Sequence, residues 1–146
     1  MGQETGDREP KLTLPPAIQA EMVKHCLASH PKAEACGFLI ADASGRIERV
    51  QPMRNAEPSP IGYSMDPKEQ LQVEKQLRQR GERVVAIYHS HTATAAEPSP
   101  VDIEHAISSD ISYIVVSTAN TALPVVKSYR IYGKGKEVIQ EPIFPT

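Results

Sequence analysis

The chain holds only two cysteines, Cys26 and Cys36, too few for a disulfide framework. No apolar run approaches the roughly 20 residues needed to cross a bilayer, and residues 1–11 (MGQETGDREPK) lack the apolar stretch of a secretory leader. Basic charge is not in excess either: 16 Lys+Arg stand against 18 Asp+Glu, a net charge of -2. A phosphate backbone demands the opposite balance, so nucleic acid is excluded as a partner. There is no internal repeat, and 13 Pro with 8 Gly fall well short of a low-complexity composition. What remains is the profile of a globular protein of a reducing compartment, expected in the cytoplasm and off the membrane, with residues 1–11 as a disordered tail. Residues 12–146 fit one domain, large enough to fold around its own core without a staple. A bound metal would therefore serve function rather than stability.

The pattern of the chain is mixed α/β. Pro15-Pro16 suit a helix start, and Ile18, Met22, Val23, Cys26 and Leu27 recur at three- and four-residue spacing, so a helix is expected to about Ser29, with Pro31 beyond it. Residues 35–41 (ACGFLIA) and 46–53 read as strands joined at the turn cluster DASG, a hairpin. Residues 54–64, rich in Pro, Ser and Asn, read as a surface loop. Asp66-Pro67-Lys68-Glu69 then opens a helix that Gly81 closes, with Leu71 and Leu77 as its thin buried stripe and Arg78, Arg80 and Arg83 as a solvated face. Residues 84–88 (VVAIY) are a continuous β-branched run, the pattern of a central strand covered on both faces. A loop over 92–98 leads to the helix start Ser99-Pro100-Val101-Asp102, with the helix expected to about Ser108. Further strands are expected over 111–117, 125–132 and 137–143, with turns at 119–120 and 133–135.

Chemistry gathers at the end of the central strand. In an extended chain, residues two apart face the same side with Cα atoms about 6.5 Å apart, so the imidazoles of His89 and His91 converge. Neutral imidazoles suit zinc, and a catalytic zinc takes three protein ligands and keeps one position open. Asp102, in the first turn of the next helix, is the third ligand expected where the chain returns over the strand end. Each piece also has a plain structural explanation. His-x-His occurs on many strand ends, and Ser99 with Asp102 forms a capping box that needs no active site. Placement decides between them: paired histidines after a buried strand, a Pro-rich loop, then an acid at a helix start.

The string His89-Ser90-His91, seven residues, Ser99, two residues, Asp102 resembles the His-x-His-x7-Ser-x2-Asp motif of the JAMM (MPN+) zinc metallopeptidases. That family also carries an upstream glutamate in a Glu-x-x-Gly context, which Glu34-Ala35-Cys36-Gly37 matches, and the elements from Leu12 to about Tyr132 follow the family order. The resemblance implies a single-domain α-β-α sandwich around a mixed, curved β-sheet. It also implies one zinc ion per chain on His89, His91 and Asp102, Glu34 as general base and acid, and the Ser99 hydroxyl as donor to the carbonyl oxygen under attack. The long insertion that some eukaryotic ubiquitin-cleaving members place after the aspartate is absent, which argues against polyubiquitin as the substrate.

The wording IYHSHTAT followed by Pro98-Ser99 is most similar to bacterial members that release cysteine from a small sulfur carrier. The expected reaction is therefore zinc-dependent hydrolysis of the amide bond after the Gly-Gly C-terminus of a ubiquitin-like sulfur-carrier protein. The substrate would lie extended along an exposed strand edge beside the metal, and a homodimer is among the assemblies open to the chain. Two other readings stay within the fold: an isopeptidase that removes ubiquitin-like modifiers from conjugates, and a non-catalytic MPN scaffold, whose members lack ligands that this chain has. Outside the fold stands a cupin using Glu97 beside His-x-His, against which the two capped helices argue.

Other residues carry smaller expectations. His105 shares the helical face of Asp102 and is an alternative ligand. His25 and His30 are read as structural imidazoliums complementing the dipole of the first helix. Cys36 has the strand parity of Glu34 and is expected to be a buried, inert thiol. Asn55, Tyr63 and Ser64 lie in a loop able to line a substrate groove, although no residue type there compels it.

Overall fold

The structure, a computed structural model, describes residues 10–133 and 137–146. Apart from residues 10 and 11, the expected tail lies outside the described residues, as does most of the turn at 133–135. In chain order the elements are β1 (Leu12–Thr13), α1 (Pro16–Ser29), β2 (Cys36–Ala41), β3 (Ile47–Met53), α2 (Pro67–Gln79) and β4 (Arg83–His91). They continue with α3 (Pro100–Glu104), β5 (Ser112–Ser117), β6 (Val125–Tyr132), β7 (Glu137–Glu141) and β8 (Ile143–Phe144).

Six strands form one mixed sheet in the order β3-β2-β4-β5-β6-β7, while β1 and β8 pair separately and in parallel. The hairpin of β2 and β3 is as expected, closed by Asp42, whose Oδ1 accepts from the Ser44 and Arg46 backbone N–H groups at 2.9 and 3.1 Å. Within the sheet only β4 and β5 run parallel. A parallel step needs a crossover, because the chain must return to the end at which it started. Residues 92–111, with α3 among them, make that return and so lie over the C-terminal end of β4.

Helices cover both faces of the sheet. On one, Leu14, Ile18, Met22 and Cys26 pack on Leu39, Val50, Ala86, Tyr88, Ile114 and Val116. On the other, Leu77 of α2 and Met65 before it pack on Cys36, Phe38, Ile40 and Met53. Alternate residues of β2 thus enter different clusters, as expected of a strand buried on both sides. The expected α-β-α sandwich is the observed architecture.

Several boundaries differ from expectation for local reasons. Helix α3 ends at Glu104, four residues early, where the N–H groups of Ile107 and Ser108 bond to the Tyr113 hydroxyl instead of continuing the helix. The strand expected over 137–143 is interrupted at Pro142, which cannot donate to a ladder, and beyond it β8 pairs with β1. Leu71 is 62% exposed, so α2 is anchored by Leu77 with help from Val73. His25 is no imidazolium: burial lowers its pKa, and its Nδ1 lies 2.6 Å from the Tyr88 hydroxyl. His30 caps α1, with its ring held 2.9 Å from Thr118 Oγ1.

Gly37 explains part of the Glu-x-x-Gly pattern, since a Cβ there would overlap the ring of Tyr88, its partner on β4. Tyr88 is fully buried and has no room to retreat. Gly37→Ala is therefore expected to lower the free energy of unfolding by about 1–3 kcal/mol, as overpacking does, read from urea transitions with an unchanged m-value.

Candidate metal centre and cleft

Strand pairing brings Glu34 to the histidines. Cys36 on β2 faces His89 on β4 in an antiparallel register, and extending that register by two residues sets Glu34 opposite His91. Ser90, between the histidines, fixes this end of the ladder: its N–H donates to the Ala35 carbonyl at 3.0 Å and its Oγ accepts from the Ala35 N–H at 2.8 Å. Side chains of paired antiparallel residues share a face, so Glu34 and both imidazoles lie on the α2 side of the sheet.

The crossover supplies the aspartate. At the start of α3 the capping box is complete, with Ser99 Oγ accepting from the Asp102 N–H at 3.1 Å and Asp102 Oδ2 accepting from the Ser99 N–H at 2.8 Å. The same Oδ2 lies 3.0 Å from His89 Nε2 and 3.1 Å from His91 Nε2, which are themselves 3.1 Å apart. Capping and clustering are therefore both present in one carboxylate. Because the Ser99 hydroxyl caps with a lone pair, its proton is left for another acceptor.

His91 Nδ1 donates to the Ala95 carbonyl at 2.9 Å. A carbonyl only accepts, so the Nδ1 of His91 carries the hydrogen and its Nε2 presents a lone pair to the cluster. Loop 92–99, which carries Ala95, is itself held by Ser117 Oγ donating to the Thr94 carbonyl at 2.6 Å and by the Tyr129 hydroxyl donating to the Ala96 carbonyl at 2.5 Å.

Two imidazole nitrogens and a carboxylate oxygen thus meet in a largely buried place that favours a positive charge. The titration directions agree. Burial opposes the His91 imidazolium, yet bonding to Asp102 and to the Ala95 carbonyl outweighs it and raises the pKa. Burial likewise raises Asp102, but the bonds from His89 and His91, the charge of His89 and the Ser99 N–H hold it well below the usual carboxylate range. Among the described residues, these three alone form a group able to hold a metal ion. Two neutral nitrogens and one carboxylate oxygen fit zinc.

Glu34 is 6% exposed, and burial pushes its carboxyl up to about 7, with His91 lowering it and Asp102 raising it. It opens, with His89, His91, Ser99, Asp102 and Tyr63, on a cleft of about 610 Å³. All five residues expected from the sequence are therefore brought together. His105 is exposed on the cleft wall and outside the ligand group, and Glu97 is exposed and absent from both. Cys36 is fully buried, its thiol pushed up to about 12 by burial and by the charges of Glu34 and Glu69, and so stays protonated and inert.

One expectation fails here. Strand β4 has β2 on one edge and β5 on the other, so the histidine strand offers no free edge to a substrate. The cleft beside the histidines is instead walled by loops, with Pro60, Ile61, Thr94 and Pro98 among its lining residues. The Ala95 carbonyl and the stacking of Tyr63 on His89, with ring centres 4.8 Å apart, were not foreseen. A backbone acceptor leaves no mark in a sequence, and a loop tyrosine has no periodicity to read.

Residues 15–132 match the family described as prokaryotic homologs of the JAB domain. The CysO-cysteine peptidase of Mycobacterium tuberculosis is 44% identical over 123 residues, which cover 84% of this chain and 82% of that protein. A probable TtuB-protein conjugate cleaving protease of Thermus thermophilus is 38% identical over 96 residues, covering 65% of this chain and 63% of its own. The solution structure of a Desulfitobacterium hafniense protein superposes with a TM-score of 0.77 at 38% identity, covering 91% of each chain. With four-fifths of its length matched and the ligand cluster in place, the chain belongs to the prokaryotic JAB-domain family.

Proposed function

We propose that this protein is a zinc peptidase that hydrolyses the amide bond after the Gly-Gly C-terminus of a ubiquitin-like sulfur-carrier protein and releases cysteine. The observation that carries the reading is the meeting of His89 Nε2, His91 Nε2 and Asp102 Oδ2 within 3.1 Å, in the cleft that also contains Glu34. Similarity to the mycobacterial CysO-cysteine peptidase supports the choice of substrate.

His89, His91 and Asp102 would hold one zinc ion, which when bound acts as a Lewis acid on water and on the scissile carbonyl. Glu34, which opens on the same cleft, takes a proton from the attacking water and returns it to the leaving nitrogen. The C–N bond breaks, the water oxygen stays on the glycine carbonyl carbon, and cysteine leaves with a neutral amine. The Ser99 proton, unused by the helix cap, donates to the carbonyl oxygen as negative charge grows there. Glycines at the end of the carrier allow its backbone to lie close between the cleft walls. Free, buried Cys26 and Cys36 suit a cytoplasmic setting, and a homodimer is compatible with this reading.

A second reading has its own support, because the Thermus relative is named for cleaving protein conjugates. Both are separated by giving the zinc-loaded enzyme a carrier bearing C-terminal cysteine and, in parallel, an isopeptide-linked conjugate. The carrier is expected to lose the mass of one cysteine residue, and a chelator to stop the loss. Cleavage of the conjugate alone would transfer the assignment to the deconjugating reaction.

Glu34→Gln is expected to lower kcat by about 10³-fold while zinc content stays near one per chain, whereas Asp102→Ala loses both turnover and zinc. Ser99→Ala is expected to lower kcat by about 10²-fold, with about 1 kcal/mol lost from the helix cap, measured by steady-state kinetics and urea unfolding. Glu34 also makes the metal-free fold pH-dependent. Its folded pKa of about 7 lies above the ordinary 4.5, so its contribution is intact below pH 4.5 and is lost as pH rises through 7. Without metal, Glu34→Gln is expected to match the wild type near pH 4.5 and to exceed it at pH 8 by roughly 3 kcal/mol, read from unfolding at the two pH values.

A further inference from the structure

The loop between β3 and α2 is tied down by bonds that converge on the cleft. Asn55 uses its whole amide: Nδ2 donates to the carbonyls of Glu34 at 3.0 Å and Gly62 at 3.2 Å, and Oδ1 accepts from the N–H groups of Glu57 at 3.1 Å and Ser64 at 3.0 Å. Ser59 accepts from the Glu34 N–H at 2.8 Å, so both main-chain polar groups of Glu34 end on this loop. Thr92, next to His91, donates its hydroxyl to the Pro60 carbonyl at 3.0 Å. On the same loop the Tyr63 ring stacks on His89 at 4.8 Å between centres and 28° between planes, backed by the cluster that contains Phe38, Met53 and Met65.

We infer that Asn55 and Tyr63 are positioning residues for the metal centre, Asn55 locking the main chain of Glu34 and Tyr63 fixing the ring plane of His89 through one shared clasp. The inference rests on the ligand and base roles proposed above. Its physical basis is the aromatic face of Tyr63, which is negative and prefers an electron-poor partner. An imidazole whose Nε2 binds a cation is poorer in electrons than a free one, so the stack is stronger in the loaded state and contributes to metal affinity. Groups that orient a ligand in this way commonly change affinity or activity by 10–100-fold. Asn55 acts one step back, because removing its side chain removes four bonds to the backbone and loosens the loop.

Zinc alone, titrated against a competing chelator, tests this together with the ring proton signals of His89 in the metal-free protein. Tyr63→Leu is expected to weaken zinc by about 10-fold and to move the His89 signals toward those of exposed His105, whereas Tyr63→Phe, which keeps the ring, stays within about twofold. Asn55→Ala is expected to weaken zinc, to shift the same signals, and to lower kcat on the carrier more than it raises KM. A folded Tyr63→Leu with wild-type affinity and unmoved His89 signals would overturn the inference, as would a Tyr63→Phe that loses as much as Tyr63→Leu. Should Tyr63→Leu not fold, Asn55→Ala decides, and wild-type zinc binding with unmoved His89 signals in that variant would equally overturn it. The zinc and His89 readouts need no substrate, so failure of the sulfur-carrier assignment would leave their result standing.

Discussion

Two imidazole nitrogens and a carboxylate oxygen are pressed together at 3.0–3.1 Å by structure that gives none of them an alternative. Ladder pairing of β2 with β4 presents the imidazoles, the parallel step to β5 carries the aspartate back over them, and the capping box turns its carboxylate inward. The Ala95 carbonyl removes the remaining freedom by choosing which nitrogen of His91 bears the hydrogen. Such a cluster is electrostatically incomplete, and low exposure strengthens the demand for a positive charge.

The two carboxylates of the cleft are driven apart by their surroundings. Asp102 is held ionised by its imidazole and backbone partners, while Glu34, desolvated at the end of its strand, titrates near neutrality. Separation of this kind divides labour: one group keeps its charge and binds, the other exchanges a proton. The Ser99 hydroxyl is divided similarly within one atom, a lone pair for the helix and a hydrogen for the cleft.

What could be read in advance was local. The spacing of His89, His91, Ser99 and Asp102, the Asp66 cap and the hairpin turn each lie within a few residues of the chemistry that defines them. Glu34 is different, since no local pattern announces a partner 55 or more residues away, and only resemblance to a family marked it. The register that places it opposite His91 is a property of the whole sheet. Asn55, Tyr63 and the Ala95 carbonyl were not assigned roles for the same reason: their meaning lies in what they touch. His25 was misread because the helix dipole is visible in a sequence and the desolvating contact with Tyr88 is not.

The apolar clusters that hold the sandwich together draw on α1, α2 and the strands from β1 to β6, while Glu34, His89, His91 and Asp102 keep their places through main-chain pairing and polar bonds. Cohesion and reactivity therefore overlap at the capping box, where Ser99 and Asp102 both start α3 and line the cleft. Loss of Ser99 or Asp102 would remove a helix start along with the chemistry, whereas loss of the Glu34 carboxyl would relieve a buried acid and leave its strand pairing in place.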